Sequence, residues 1–586
     1  MKRIRRSDNR PVGRASSLGS ALVVIVVVAA GTAFTAVAWA DDDSHESTRR
    51  AFFEPVEVPL VSVDVYVSDS DGKPVQGLSL EDFEVLEDGV PVELSHFYAA
   101  PGSRIVESEE GEPGEAPRAR EPTKISDQLL MAVWIDESAL LPQRRRMALE
   151  HLRGFLIDDL PDTVQVSLVS YDGNARIRQP FTADRQELSS ELAVMMEQGA
   201  SASRVNEEQF LIRRIQNSSR SAATMTDDDV ASFASSLLGE VEAFAAQAHQ
   251  RAQHSLRNLG AFIDALGVLP GQKIVLVVSD AVNLRPGERL YTELQQILGD
   301  RAGLSGVSAM SFGRRYDLTR DFRTLLRRAN TNRVTFMTLS AITERSLGFI
   351  SAESRGASAA DMDQMMFEEQ ALMTMADVTG GKVLENSQGL GEQLQSVAHE
   401  VAAYYSVGYV PPSPSDGEYH RLKINVKRNG VRVRHREGYI GSGTSDGLVD
   451  KTIAAAMLGV SENPLGIAVE IRQLDRRDDG TYLVPALIRV PIGELVMVPG
   501  LENHEGKISL VVVVRSEDGA MSQPEVRQYP VVVPNDQLVE ATTSSAGYTI
   551  GLVMRPGPHQ VSVGVEDELA HISATIVASV DVGSEG

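Results

Sequence analysis

Seven consecutive apolar residues, Leu129 to Ile135, end abruptly at Asp136, with Ser138 two places on. A run of that length bounded by polar residues suits a strand covered on both faces, which means a parallel sheet with helices on either side. In such sheets ligands bind beyond the carboxyl ends of the strands. Asp136 and Ser138 stand at that end, and their oxygens suit a hard cation. Leu141 to Leu160 follows with Pro142 at a helix start and apolar side chains at Met147, Leu149, Leu152, Phe155 and Leu156. Strand, polar turn and helix make the first unit of a doubly wound, Rossmann-like α/β domain.

A length of 586 residues exceeds one core and predicts three or four domains. The formal net charge of −25 argues against nucleic acid or an anionic membrane surface as the main partner. The chain has no cysteine, which excludes disulfides, thiolate metal sites and cysteine nucleophiles. Residues 1–40 predict an export signal. Lys2, Arg3, Arg5, Arg6, Arg10 and Arg14 precede the apolar stretch Ala21–Ala40, and Ala38-Trp39-Ala40 before Asp41 is a small-residue cleavage site. That stretch is also about as long as a membrane span, so a retained anchor is the alternative. Either way the body of the chain is expected outside the cytoplasm: periplasmic, secreted or anchored at the cell envelope.

Along the chain, 56–100 predicts a small β module, with Val61, Val63, Val65 and Val67 alternating with polar residues and turns at Asp71-Gly72 and Asp88-Gly89. Residues 101–126, rich in Pro, Gly and Glu, read as an acidic linker. The α/β domain spans 127–440. Within it, Val164–Tyr171, Ala175–Phe181 and Arg333–Leu339 read as strands, and 205–266 as a long helical insertion. There Thr226 with Asp229 makes a capping box, and one apolar stripe runs from Val230 to Leu266. The stripe belongs to one long helix or to two with a break. It packs on the domain body or, in the sharper reading, forms an arm for a partner. Leu347–Asp363 reads as a loop insertion. Asn429-Gly430 between alternating segments predicts a type I′ hairpin. After a linker at 441–447, residues 448–583 predict a short helix and then an immunoglobulin-like β-sandwich, from repeated alternating runs such as KISLVVVVRS and HQVSVGVED.

The string VDVYVSDSDGKPVQGLSLEDFEVLEDGVPVELSHF resembles the opening of the VWFA-related acidobacterial domain family. Farther on, Pro270-Gly271 leads into KIVLVVSD, and Tyr404-Tyr405-Ser406-Val407-Gly408-Tyr409 precedes a closing Arg436-Glu437-Gly438-Tyr439. Both are similar to that family's pattern, so the resemblance covers about Val58 to Ile440. It implies a von Willebrand factor A-type domain whose D-x-S-x-S motif begins at Asp136 and Ser138. Gly199-Ala200-Ser201 stands where the family has Gly-Gly-Thr, so Ser201 is implied as a hydroxyl ligand, with Ser203 the second choice, and Asp280 as the remote aspartate. Leu140 replaces the second serine of the motif and donates no oxygen, so the Mg²⁺ site implied is weak or absent.

Other motifs carry less. His399-Glu400 opens a zincin-like string that lacks its second histidine. Gly443-Thr444-Ser445-Asp446-Gly447 matches G-x-S-x-G without the strand a nucleophile elbow needs. His96, His151, His254 and His420 show no metal spacing and read as surface or structural residues. Together these observations predict an exported, non-enzymatic protein-binding protein, adhesion-like or acting in envelope assembly. It would dock an unidentified protein ligand through the A-type domain, aided by a weak Mg²⁺ site. A metal-independent envelope scaffold is the first alternative, and an enzyme with an unrecognised hydrolytic site the second.

Overall fold

The valines at 61, 63, 65 and 67 do form a strand, but its partners come from the far end of the α/β domain. The computed structural model describes residues 25–26, 60–100, 129–140, 142–198, 203–222, 224–279, 282–302, 311, 314–340, 370–385, 390–412, 416–441, 447–472 and 475–583. Outside them lie Ser201, Asp280, all of the acidic linker 101–126, the loop insertion 347–363, most of the linker 441–447, and residues 1–40 apart from Ile25–Val26. The chain divides into two units, Ala33–Glu462 and Asn463–Gly586 with Met1–Thr32. Among the described residues no helix is long and apolar enough to cross a membrane.

The first unit opens with strands β1 (Val61–Ser68), β2 (Phe83–Glu87), β3 (Val90–Val92) and β4 (Leu94–Ala99). A six-stranded sheet follows: β5 (Leu129–Asp136), β6 (Val164–Tyr171), β7 (Ala175–Thr182), β8 (Gln272–Ser279), β9 (Val334–Ser340) and β10 (Val383–Glu385). Its spatial order is β10-β9-β8-β5-β6-β7, parallel throughout except for the antiparallel edge strand β7. Burial on both faces explains the unbroken apolar run. Met131, Val133 and Ile135 face one cluster with Leu149, Leu152, Leu188, Leu192 and Leu394, whereas Ala132 and Trp134 face another with Leu259, Phe262, Ile263, Phe322 and Leu325. Each such fully buried Val, Leu, Ile, Met or Phe side chain contributes about 1.5–3 kcal/mol.

The helices supply those covers. One face takes α1 (Pro142–Gly154), α2 (Arg185–Glu197) and α8 (Leu390–Ala402); the other takes the carboxyl half of α4 (Asp227–Gly267), α6 (Thr319–Thr331), α7 (370–379) and α9 (Leu448–Leu458). The doubly wound α/β expectation holds. The stripe from Val230 to Leu266 belongs to one unbroken helix, α4, capped by Thr226, whose hydroxyl accepts from the Asp229 amide. At about 1.5 Å per residue, α4 is about 60 Å long and outruns the sheet. Val230, Leu237, Val241 and Phe244 in its amino half form a separate core with Ile215 of α3 (Ser203–Ala222) and with Leu290 and Leu294 of α5 (Glu288–Ala302).

Three expectations about domain limits change. Strands β11 (Tyr405–Tyr409), β12 (Tyr419–Val426), β13 (Arg432–Arg434) and β14 (Gly438–Ile440) do not simply close the α/β domain. They complete two antiparallel sheets with the amino-terminal strands, in the orders β13-β1-β11-β4 and β14-β12-β2-β3. Val63, Val65, Phe83, Val85, Tyr405, Val407, Tyr409 and Ile424 share one core, so the module at 56–100 is half of a body finished more than 300 residues later. The expected Asn429-Gly430 hairpin is corrected too. Gly430 has φ +76°, as such a turn needs, but β12 pairs with β14 and β2 while β13 pairs with β1. The turn therefore carries the chain from one sheet to the other. Finally, Ala454 and Leu458 of α9 lie in the α/β core, which moves the boundary from 441–447 to beyond α9.

The β body docks on the amino ends of the central strands. Tyr66 takes a hydrogen bond from Gln272 at the start of β8, and Asp64 pairs with Arg333, just before β9, at 3.5 Å. Buried Arg436 donates to the Ser62 carbonyl at 2.8 Å and to that of Asn330. Burial, then neighbouring Arg333, pushes its pKa down to about 10. Glu400 of α8, 5% exposed, binds Lys382 at 3.0 Å and also Arg434 of β13. The α7 helix ends at Gly380, φ +78°, where a Cβ would sit 2.5 Å from the His435 carbonyl carbon.

The second unit is a pair of antiparallel sheets around a single apolar cluster. Ala468–Ile471, Tyr482–Pro491 and Ser545–Met554 form one sheet, joined by the short strand Ile25–Val26 against Gly551–Leu552. Asn503–Ser516, Glu525–Pro534, Gly557–Asp567 and Ile572–Val582 form the other. Val484, Ile488 and Leu552 meet Leu510, Val512, Val561 and Val563 between them.

Candidate functional site

The order of the central sheet reverses between β5 and β8, and a doubly wound sheet opens its crevice at that point, beyond the strand carboxyl ends. Ile135 pairs with Val278, so Asp136 and Ser279 end the two strands side by side. Asp280 is the next residue in sequence. The β5–α1 turn is built on Asp136: its carbonyl accepts from the amides of Ala139 at 3.1 Å and Leu140 at 3.2 Å. Its carboxylate Oδ1 accepts from Ser138 twice, from the amide at 3.1 Å and from the hydroxyl at 2.6 Å. The structure places Asp136 and Ser138 in hydrogen-bond contact with each other. Ser201 and Asp280 lie outside the described residues, so the four-residue set is seen only in this half.

Leu140 turns inward. It is 3% exposed and joins the cluster of Ile135, Leu149 and Leu152 beneath the turn. Asp136 and Ser138 fit a hard cation in donor type, and Leu140 supplies nothing to one. The set suits at most a largely hydrated Mg²⁺.

Two residues absent from the sequence reading organise this turn. Arg145 of α1, 4% exposed, pairs in a two-pronged contact with Glu137; its Nη2 lies 2.8 Å from Glu137 Oε1. The same guanidinium donates to the carbonyls of Met195 at 2.8 Å and Gln198 at 3.3 Å. It thereby ties the Asp136 turn to the end of α2, three residues before Ser201. No periodicity marks Arg145, the middle of Arg144-Arg145-Arg146, as the buried one. Below the turn, Trp134 stacks on Tyr171 at 5.7 Å.

The zincin-like string is structural. His399 Nδ1 lies 2.8 Å from the Gln395 carbonyl one turn back, and Glu400 is held in the ion pairs with Lys382 and Arg434. His420, read from sequence as unremarkable, instead meets Glu87 and Asp88 in the β body. His420 lies 332 positions from Asp88 and 333 from Glu87, and no spacing rule joins it to them.

No family model matches the chain, and no curated protein matches it. Among solved structures it is similar to a von Willebrand factor type A protein from Catenulispora acidiphila, at 10% identity and TM-score 0.22, over 91% of this chain and 75% of that one. It is also similar to the conserved hypothetical protein BatB from Bacteroides thetaiotaomicron, at 10% identity and TM-score 0.20, over 47% of this chain and 97% of that one. Superpositions at TM-scores this low assign neither fold nor function.

Proposed function

We propose that this chain is an exported, non-enzymatic binding protein that docks a protein ligand at the carboxyl end of its central sheet. The carrying observation is Asp136 with Ser138 at the strand end where the sheet order reverses, braced from below by Arg145 and Glu137. Mg²⁺ in that crevice would draw oxygens from Asp136, Ser138, Ser201 and Asp280 and leave a position for a carboxylate of the ligand. The β body holds the amino ends of the strands, so the opposite rim is the one left for docking in this reading. The carboxyl-terminal unit, with its first, second and fifth long strands in one sheet and the others in the second, serves as an immunoglobulin-like spacer.

A metal-independent scaffold is the second reading. It is favoured by Leu140 in the core and by an Asp136 Oδ1 already engaged by Ser138. Affinity capture from cell-envelope extract with the full chain separates the two, with and without Mg²⁺ and against Asp136→Ala. Docking at the crevice predicts one set of proteins retained by the wild type and lost by Asp136→Ala at unchanged thermal stability. Equal capture by both would overturn it. Loss on Asp136→Ala that ignores Mg²⁺ selects the scaffold. Export predicts that intact-mass measurement of the native protein gives a start at Asp41, or a full-length chain in the membrane fraction; a full-length cytoplasmic product refutes it.

A further inference from the structure

In the β body, far from Asp136 in sequence, one histidine is enclosed by three carboxylates. His420 Nδ1 lies 2.9 Å from Asp88 Oδ2 and 3.4 Å from Glu87 Oε1. Its Nε2 lies 3.1 Å from Asp416 Oδ1 and 3.2 Å from Oδ2. His420 is 9% and Glu87 6% exposed. The other atom of each group is already committed. Glu87 Oε2 accepts from the Tyr439 hydroxyl at 3.2 Å and from that of Tyr409. Asp88 Oδ1 accepts from the Arg421 amide at 2.9 Å.

With Nε2–H given to Asp416, the space at Nδ1 faces two carboxylate oxygens and takes either a proton or a metal cation. A proton on Nδ1 leaves a cluster of three carboxylates and one imidazolium two negative charges in excess. A divalent ion held by Glu87, Asp88 and neutral His420 cancels the inner charge. We infer that Glu87 Oε1, Asp88 Oδ2 and His420 Nδ1 form a three-ligand site for a first-row divalent ion of zinc type, with its fourth position toward solvent on the exposed Asp88 side.

The dimensions are close. Ligand bonds of about 2.0–2.2 Å put tetrahedral ligand atoms roughly 3.4 Å apart; the Glu87–His420 contact already has that length, the Asp88–His420 contact must widen by about half an ångström, and all three atoms lie within 4.8 Å of one another. The carboxylate on Nε2, the two tyrosine hydroxyls on Glu87 and the amide on Asp88 are the outer partners that orient metal ligands. One imidazole with two carboxylates and no thiolate suits Zn²⁺ or a neighbouring first-row ion. The site joins β2, its following turn and the start of β12, and so links the amino-terminal strands to the returning segment.

The test uses the full chain, stripped with chelator and titrated with ZnCl₂ at neutral pH by calorimetry, with unfolding temperature read in parallel. One equivalent of zinc should bind and raise the unfolding temperature. Asp88 has φ +51°, which asparagine also tolerates, so Asp88→Asn keeps the turn. That variant should lose at least tenfold in zinc affinity while its metal-free unfolding temperature holds, and Asp416→Asn should lose about tenfold. His399→Gln, at an exposed histidine outside the cluster, should bind zinc as the wild type does. Zinc uptake that is absent, or equal in the wild type and Asp88→Asn, would show that only a proton occupies the cluster and would overturn the inference.

Discussion

Leu140→Ser restores the serine that the metal motif lacks, and the structure makes that substitution expensive. Leu140 is 3% exposed in the cluster formed with Ile135, Leu149 and Leu152. Deleting a buried leucine side chain costs about 2–5 kcal/mol through lost burial and the cavity left. A serine hydroxyl left there without a partner adds roughly 1–3 kcal/mol. Reaching back to the Asp136 carboxylate would recover part of the second cost, so the expected loss is about 3–5 kcal/mol. That is a large share of the roughly 5–15 kcal/mol typical of a domain. Trp134, 1% exposed in the same sheet, reports unfolding of this unit by its fluorescence. In a denaturant titration the midpoint should fall and the slope should stay, the mark of changed stability and unchanged compactness. Adding Mg²⁺ should recover stability in Leu140→Ser, above any effect on the wild type, and Asp136→Ala in that background should remove the recovery. A loss under about 1 kcal/mol without Mg²⁺ would mean that Leu140 faces the crevice and not the core. A full loss with no Mg²⁺ effect would remove Asp136, Ser138, Ser201 and Asp280 as a latent metal set.

Other consequences can be checked separately. Arg145→Met strands the nearly buried Glu137 and frees two carbonyls at the end of α2, so the α/β unit should lose about 3–5 kcal/mol by the same denaturant assay, while the double variant with Glu137→Leu should recover much of it. Cleaving the chain at a site engineered within 101–126 should not release residues 60–100 in native size-exclusion chromatography, because β1 to β4 pair with β11 to β14; elution as two species would refute that pairing. His435 accepts the Ile424 amide on Nε2 at 3.2 Å and faces the Arg436 carbonyl with Nδ1 at 2.7 Å. Burial first, with the Arg436 charge assisting, lowers its pKa from the ordinary value of about 6.5. Protons therefore bind the unfolded chain more tightly: the stability associated with neutral His435 is complete above about pH 6.5 and declines as pH falls toward the lowered value. A His435→Gln variant should show a flatter decline through that window, and parallel profiles would refute the assignment.

What was legible in the sequence is what local pattern encodes. The run Leu129–Ile135 announces a strand covered on both faces because every one of its residues is buried. The stripe on α4 and the Thr226 cap are visible because helix period and capping act within a few residues. Asp136 with Ser138 was legible for the same reason, being two residues apart and joined by their own hydrogen bonds. The β body was only half legible. Alternation in β1 states that one face is buried and is silent on its partners, which are β13 and β11, the latter carrying Ser406, 344 residues after the Ser62 it contacts. Asn429-Gly430 bends the chain whether or not the flanking strands pair, so the dipeptide marks the turn and leaves the pairing open.

The same limit explains the two missed charged groups and points to why they matter. A buried charge needs a specific partner, and the partner can lie anywhere in the sequence. Glu400, Arg434 and Lys382 meet across the seam between the β body and the α/β domain; Arg145 and Glu137 meet between two site loops. In both places the apolar core alone would tolerate small slips between neighbouring elements, whereas a nearly buried ion pair with backbone carbonyls as further acceptors is satisfied in one register only. If that is the role of Glu400, Glu400→Gln should cost stability and also loosen the seam. Amide hydrogen exchange should then rise selectively in β13 and around Gly380–Gly381, where Arg434 holds the Gly381 carbonyl at 2.6 Å, while β5 and β6 stay protected. A uniform rise across the whole unit would mean that the ion pairs add only to global stability and do not set the register of the seam.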